Sequence, residues 1–346
     1  MRGGQGSGGG VQQAATGALL GLAFGDAMGF PTEFNGMAGI EAKCGPWRTM
    51  ALPLSSGLAW VTDDTQMTLA LGEGLLDALS GGPLTAERME PPVRDRFVAW
   101  YFSPDNNRAP GTTCLRACEA LDRGGAWQDA SQIGSKGCGA NMRVAPLGLV
   151  PGLDARQRSG AAQLQAALTH GHPTALAASD LTAEAVRILA QGAEPDELVP
   201  ALRAHAVKSR EDYRADWLGD LADRAHDPDP VAFAARGWDE CLTVLDRLEA
   251  ALAAPDPEAD PCLATGAGWV AEEALATALY CFLMLPEEPQ AVVRRAAYSS
   301  GDSDSIAALA GAFAGARHGA EAWPEEWVRA IEYRERLLAL GRAWDA

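Results

Sequence analysis

The 346 residues carry 46 acidic against 28 basic side chains, a formal charge of −18, with 47% apolar residues. The apolar fraction is enough for a sizeable core, while the charge disfavours nucleic acid and anionic membranes as partners, because the protein's field repels polyanions. Seven cysteines, scattered and never spaced Cys-x-x-Cys, read as reduced thiols rather than disulfides or a zinc site; with no apolar run long enough to span a bilayer, the reading is a cytoplasmic protein.

Residues 1–13 begin Gly-rich and lack the charged, apolar and small-residue order of a secretory signal. They read as a flexible leader, and 14–346 as one domain. From Ala14 to Gly29 the pattern is helical, with Gly17, Gly21, Gly25 and Gly29 each four residues after the last. Such positions share one face, so the helix carries a ridge without side chains. Glycine costs about 1 kcal/mol per helical position relative to alanine, so four in register require a close neighbour. For Gly17 and Gly21 that is a packed helix; for Gly25 and Gly29, beside Asp26 and Glu33, helix and ligand both stay open. Glu33, just past Pro31, is by default a surface acid.

Val61-Thr62-Asp63-Asp64-Thr65 leads into a run where Met67, Leu71, Leu75 and Ala78 recur at helical spacing. Thr62, Asp63 and Asp64 therefore occupy a first turn. They can cap the helix and complement its dipole, but capping accounts for one acid, not two. Residues 81–92 and 103–113, rich in Gly, Pro, Asn and Asp, read as loops. Gly134 to Arg143 places Gly134, Gly137 and Gly139 within six residues, which lets N–H groups converge as an anion cradle requires. Taken alone, a tight turn without a ligand is the simpler reading, and the loop is neither a Walker loop nor a dinucleotide fingerprint. Thr169-His170 joins two Ala-rich helical runs, where a histidine is ordinarily a cap or a core hydrogen-bond partner. Gly268-Trp269-Val270 opens another helix; Trp269 can stack on a base or anchor packing.

The first device returns near the end of the chain. Gly301-Asp302-Ser303-Asp304-Ser305 precedes an apolar helix carrying Gly311, Gly315 and Gly319. Carboxylates and hydroxyls at two helix starts can form opposite walls of a hard-cation site, or be two ordinary caps. Further helical patterns cover 114–121, 161–168, 175–190, 197–207, 238–252, 271–285 and 324–340, and alternating strand patterns are nearly absent. The fold class is all-α, a compact single-domain orthogonal multi-helix fold.

In this order, Gly25-Asp26-Ala27-Met28-Gly29 with Glu33, Thr62-Asp63-Asp64-Thr65, Gly137-Cys138-Gly139-Ala140-Asn141-Met142-Arg143, Thr169-His170, Gly268-Trp269-Val270 and Gly301 to Ser305 resemble the ADP-ribosylglycohydrolase family. The resemblance implies a central dinuclear metal cleft with two divalent cations, Mg²⁺ or Mn²⁺. Thr62, Asp63 and Asp64 would ligate from one side, Asp302, Asp304 and Ser305 from the other. It implies that the 134–142 loop holds pyrophosphate and ribose through Ser135, Gly137, Cys138, Gly139, Asn141 and Met142. His170 would touch the ligand, and Glu33 matches a catalytic or gating glutamate. Asp63, Asp64 or Glu33 would take the proton of the attacking water. The partner implied is ADP-ribose on a protein, arginine-linked first, with serine-linked and O-acetyl-ADP-ribose, or binding without turnover, as alternatives; the chain is expected to be a monomer. Two departures stand out. Asn106-Asn107-Arg108-Ala109-Pro110-Gly111 replaces the Asp-Ile-Gly loop of the nitrogenase-regulating branch, and Lys136 stands where some relatives carry an adenine-packing aromatic. Trp269 or another ring would then have to pack on the base.

Overall fold

The helix Ala14–Gly29 is buried along all 16 of its residues, and its glycine ridge explains why. In the computed structural model, which describes residues 12–345, that ridge lies against the helix Ser303–His318. A Cβ on Gly21 would fall 2.1 Å from the Gly311 carbonyl oxygen, one on Gly25 1.9 Å from that of Ala307, and one on Gly315 2.0 Å from that of Gly17. The pairing number falls along one helix as it rises along the other, so the two run antiparallel with backbones touching. Gly29 meets Asp304, where a Cβ would lie 2.4 Å from the Asp304 Cα. Both positions left open by the sequence, Gly25 and Gly29, thus face a helix backbone. The consequence for function is geometric: the end of the helix Ala14–Gly29 is set beside the acidic start of the helix Ser303–His318.

The far end of this pair is tied by the chain's own C-terminus. Asp345 accepts hydrogen bonds from Ala15 N (2.7 Å), Thr16 N (3.0 Å) and the Thr16 hydroxyl (2.5 Å), satisfying the unpaired N–H groups of a helix start. Other helices pack around this centre, and one hydrophobic cluster extends from Ala15 to Trp344. The described residues contain isolated β-bridges but no sheet, so the fold is all-α. Among the described residues no helix is long and apolar enough to cross a membrane. Residues 1–11 of the expected leader lie outside the described residues.

Two local expectations are corrected. The loop expected over 81–92 gives way to a helix, Ala86–Tyr101, that runs through Pro91 and Pro92. Its buried face of Met89, Val93, Phe97 and Trp100 follows helical spacing, and that burial outweighs the two missing N–H donors. The run expected over 324–340 splits into Glu325–Ala330 and Arg334–Trp344. Between them the backbone pairs with Ala59: Ala59 N donates to Ala330 O (2.8 Å) and Glu332 N to Ala59 O (3.0 Å). Tyr333 then turns the chain with φ of 55°.

Candidate active site

Asp26, near the end of the glycine helix, builds the first wall. Its fully buried carboxylate accepts from Thr62 N (2.9 Å), the Thr62 hydroxyl (2.8 Å), Thr65 N (3.0 Å) and the Thr65 hydroxyl (2.5 Å). One side chain thereby docks the first turn of the helix Asp63–Leu79. Thr62 caps that turn, accepting from Asp64 N at 3.4 Å, and stands behind the surface that Asp63 and Asp64 present. Asp63 Oδ2 accepts from Gly111 N (3.2 Å); Asp64 Oδ1 is buried with no hydrogen-bond partner.

The opposite wall is the start of the helix Ser303–His318. Ser303 donates to Gly29 O (3.0 Å), and the Thr32 hydroxyl bridges Gly29 O and Ala297 O, both at 2.7 Å. Asp302 N donates to Ala267 O (2.8 Å), and Gly301 allows it, since a Cβ there would lie 1.8 Å from that same oxygen. Asp304 and Ser305 follow in the first turn. Oxygens of Glu33, Asp302 and Asp304 lie within 4.8 Å of one another, so Glu33 is not an isolated surface acid.

Both walls border a cleft of about 380 Å³ shared by Glu33, Asp63, Asp64, Asp302, Asp304 and Ser305. It is also lined by Gly137, Cys138, Gly139, Met142, His170 and Trp269. The glycine loop is stitched to the Trp269 segment: Cys138 N donates to Trp269 O (3.2 Å) and Ala271 N to Lys136 O (2.9 Å). Three expected residues are placed elsewhere. Thr62 lies behind the acids. Asn141 is fully buried and donates to Ala271 O (3.0 Å). Ser135 sits at 3.0 Å from the Thr113 hydroxyl. Lys136 points away into an ion pair with Glu240 and Glu272.

Phe34 was not anticipated. It stacks on Trp269, ring centroids 5.4 Å apart and planes 19° apart, at the mouth of the cleft. Both rings are partly exposed, Phe34 at 71% and Trp269 at 43%, and Phe34 holds φ of 60°, which a bulky side chain seldom adopts. An aromatic directly after the site glutamate was the available signal. Asp26 stands in the motif, but its role in docking the helix Asp63–Leu79 could not be read there, because its partners lie 36 and 39 residues away.

The electrostatics of the cleft are those of an uncompensated cluster. Burial, then the charge of Asp304, raises Asp63 to about 8, Glu33 to about 9 and Asp26 to about 7. Burial and neighbouring carboxylates also raise Asp64 and Asp302 well above the usual range. An orphaned oxygen on Asp64 among carboxylates and a serine hydroxyl is the donor set that a hard divalent cation takes. The residues fit such an ion.

A family model described as ADP-ribosylglycohydrolase matches residues 9–346. The chain is similar to the ADP-ribosyl-[dinitrogen reductase] glycohydrolase of Rhodospirillum rubrum, 34% identical over 49% of this chain and 55% of that one. It is similar to an ADP-ribosylarginine hydrolase of Pseudomonas putida, 27% identical over 95% of this chain and 76% of that one. A solved structure of an ADP-ribosylglycohydrolase-related protein complex aligns with TM-score 0.65 and 26% identity, covering 96% of this chain and 97% of that one.

Proposed function

We propose that this chain, which belongs to the ADP-ribosylglycohydrolase family, is a metal-dependent hydrolase that cleaves the bond between the anomeric carbon of ADP-ribose and a modified protein side chain. Arginine-linked ADP-ribose is the first substrate in this reading, supported by the 27% identity to the Pseudomonas putida ADP-ribosylarginine hydrolase. The observation that carries the proposal is the meeting of two acidic helix starts on one cleft, with a buried oxygen of Asp64 left without a partner.

Asp63 and Asp64, positioned by Thr62 behind them, would hold cations from one wall, and Asp302, Asp304 and Ser305 from the other. Mg²⁺ or Mn²⁺ bound there supplies positive charge that draws an anionic nucleotide sugar to an acidic protein and lowers the pKa of water. The chain's own groups supply the rest. Departure of the side chain leaves an oxocarbenium-like sugar, and water adds to the anomeric carbon as it loses a proton. Glu33, Asp63 or Asp64 would take that proton; burial and the neighbouring carboxylates raise Glu33 and Asp63 in the cation-free cluster, and cations bound there would lower them again. Gly137, Cys138, Gly139 and Met142 form the surface for pyrophosphate and ribose, and His170 contacts the ligand. Trp269 offers a face to the adenine. Ser135 and Asn141 shape the loop from behind.

One observation favours a second reading, an O-linked substrate such as serine-linked or O-acetyl-ADP-ribose. The 106–111 loop presents Ala109, Pro110 and Gly111 to the cleft, with no carboxylate of its own for a guanidinium. The test is release of ADP-ribose from arginine-modified and serine-modified protein, with and without Mg²⁺, followed by mass spectrometry. Mg²⁺-dependent release from the arginine-modified protein, abolished in Asp302→Asn, supports the first reading; release from serine alone selects the second. AMP as product, or undiminished turnover in Asp302→Asn, contradicts both.

A further inference from the structure

Arg143 is fully buried, and no carboxylate pairs with it among the described residues. Its Nε donates to Gln165 Oε1 (2.8 Å), its Nη2 to Gln165 O and to the Thr169 hydroxyl (both 2.8 Å), and its Nη1 points at the sulfurs of Met67 (3.4 Å) and Cys114 (3.7 Å). The guanidinium lies 4.3 Å over the Phe97 ring. Burying a cation without a counter-ion is expensive, and neither the fold nor the proposed chemistry uses this one directly. Its position gives it a use, because the Thr169 hydroxyl it touches is also 2.9 Å from His170 Nδ1.

The hydrogen on that hydroxyl can be assigned by elimination. A guanidinium only donates, so Thr169 Oγ1 accepts from Arg143 and has one hydrogen to give. Two acceptors are in reach: the Ala166 carbonyl at 3.4 Å and His170 Nδ1 at 2.9 Å. The carbonyl already accepts from His170 N (2.7 Å) and Thr169 N (3.0 Å), which takes both its lone pairs. The hydrogen therefore goes to Nδ1, and the neutral ring must carry its own proton on Nε2.

We infer that Arg143, acting through Thr169, fixes His170 as a neutral imidazole protonated on Nε2, the nitrogen facing the glycine loop, so that His170 is a standing hydrogen-bond donor to the bound nucleotide sugar rather than an acid or base. Gly137 and Gly139 leave room in front of that nitrogen, since a Cβ on either would lie 3.4 or 3.3 Å from Nε2. The ring's bond to Thr169 is the only one it makes among the described residues. Burial and the nearby Arg143 charge also push the His170 pKa down to about 3, which keeps the ring uncharged. Arg143 and Thr169 are positioning residues: they set which group the ligand meets and do not touch it. The identity of the ligand rests on the function proposed above; the proton assignment does not.

The test is a long-range ¹H–¹⁵N spectrum of histidine-labelled full-length protein at neutral pH without ligand, on wild type, Thr169→Val and Thr169→Ser, paired with calorimetric titration of ADP-ribose in Mg²⁺. The expected wild-type spectrum has Nε2 protonated and Nδ1 bare. Thr169→Val shifts the proton toward Nδ1 and weakens ADP-ribose binding about tenfold, the size of one hydrogen bond, while Thr169→Ser restores both. A proton on Nδ1 in the wild type, or an unchanged ring in Thr169→Val, overturns the relay. A changed ring with unchanged affinity overturns the donor role. Absence of ADP-ribose binding to wild type strikes the substrate reading instead, and the ligand-free spectra still decide the relay.

Discussion

Asp180 and Asp64 are buried to the same extent, each 2% exposed, and their surroundings treat them in opposite ways. Asp180 accepts from the Ser159 hydroxyl, from Gln163 Nε2 at 2.9 Å and from His205 Nε2 at 2.9 Å. Burial pushes its carboxyl up, but the charge and bond of His205 and the bonds from Ser159 and Gln163 outweigh it, so the pKa ends below the usual value. Asp64 has one hydroxyl at 3.3 Å and a second oxygen with nothing, and its pKa ends well above. Burial by itself therefore does not mark a functional carboxylate; a shortage of donors does. The Asp180 cluster even contains Ser, His and Asp, yet the serine and the histidine both bond the aspartate instead of each other, which leaves the serine without a base.

Breaking each cluster should separate function from stability. Asp304→Asn in the cleft is expected to lower turnover about 10³-fold while leaving thermal stability equal or higher, because it relieves repulsion; initial rates and melting curves on the same sample check both halves. Asp180→Ala should do the reverse, costing about 3–5 kcal/mol in chemical denaturation with kcat/KM unchanged in the surviving folded fraction. Between them stands the helix pair that aligns the walls. Gly21→Ala puts a methyl against a carbonyl oxygen, 2.1 Å away, that cannot move aside as a side chain could. A loss of about 3 kcal/mol follows from forcing the helices apart, measurable by urea titration.

The smallest effect is also the most diagnostic of the contrast. Glu33, Asp63 and Asp26 have folded-state values of about 9, about 8 and about 7, above their unfolded values of about 4. Their contribution to stability is fully present below pH ~4 and is lost as pH rises through ~7 to 9. Asp180 is depressed, so its contribution is present above pH ~4 and is lost as pH falls through its folded value. Cation-free protein should thus weaken between pH 5 and pH 9, and Mg²⁺ at 100 times its dissociation constant should return about 2.7 kcal/mol, readable as a shift of the denaturation midpoint at pH 8.

Much of this organisation was legible in the chain because it is written at local spacing. Glycines four apart on two helices announce a backbone-to-backbone contact, and acids at both helix starts announce paired walls. What stayed hidden depends on partners distant in sequence or on side chains turned inward. Asp26 acts on residues beyond the first loop, Arg143 points into the core behind its own glycine loop, and the splitting of the last helical run is caused by Ala59. The helix through Pro91 and Pro92 was hidden for a different reason: its apolar period was present, but the local cost of proline argued more loudly than a burial that only the folded chain supplies.

If the unpartnered acids of the cleft hold divalent cations, calorimetric titration of Mn²⁺ into EDTA-stripped protein, with Asp302→Asn beside it, will show it. Saturable binding of two equivalents per chain, lost in the variant while Asp180→Asn retains it, is the result expected. Heats no larger than dilution in the wild type, or identical isotherms for wild type and Asp302→Asn, would mean that the cleft holds no cation on these residues.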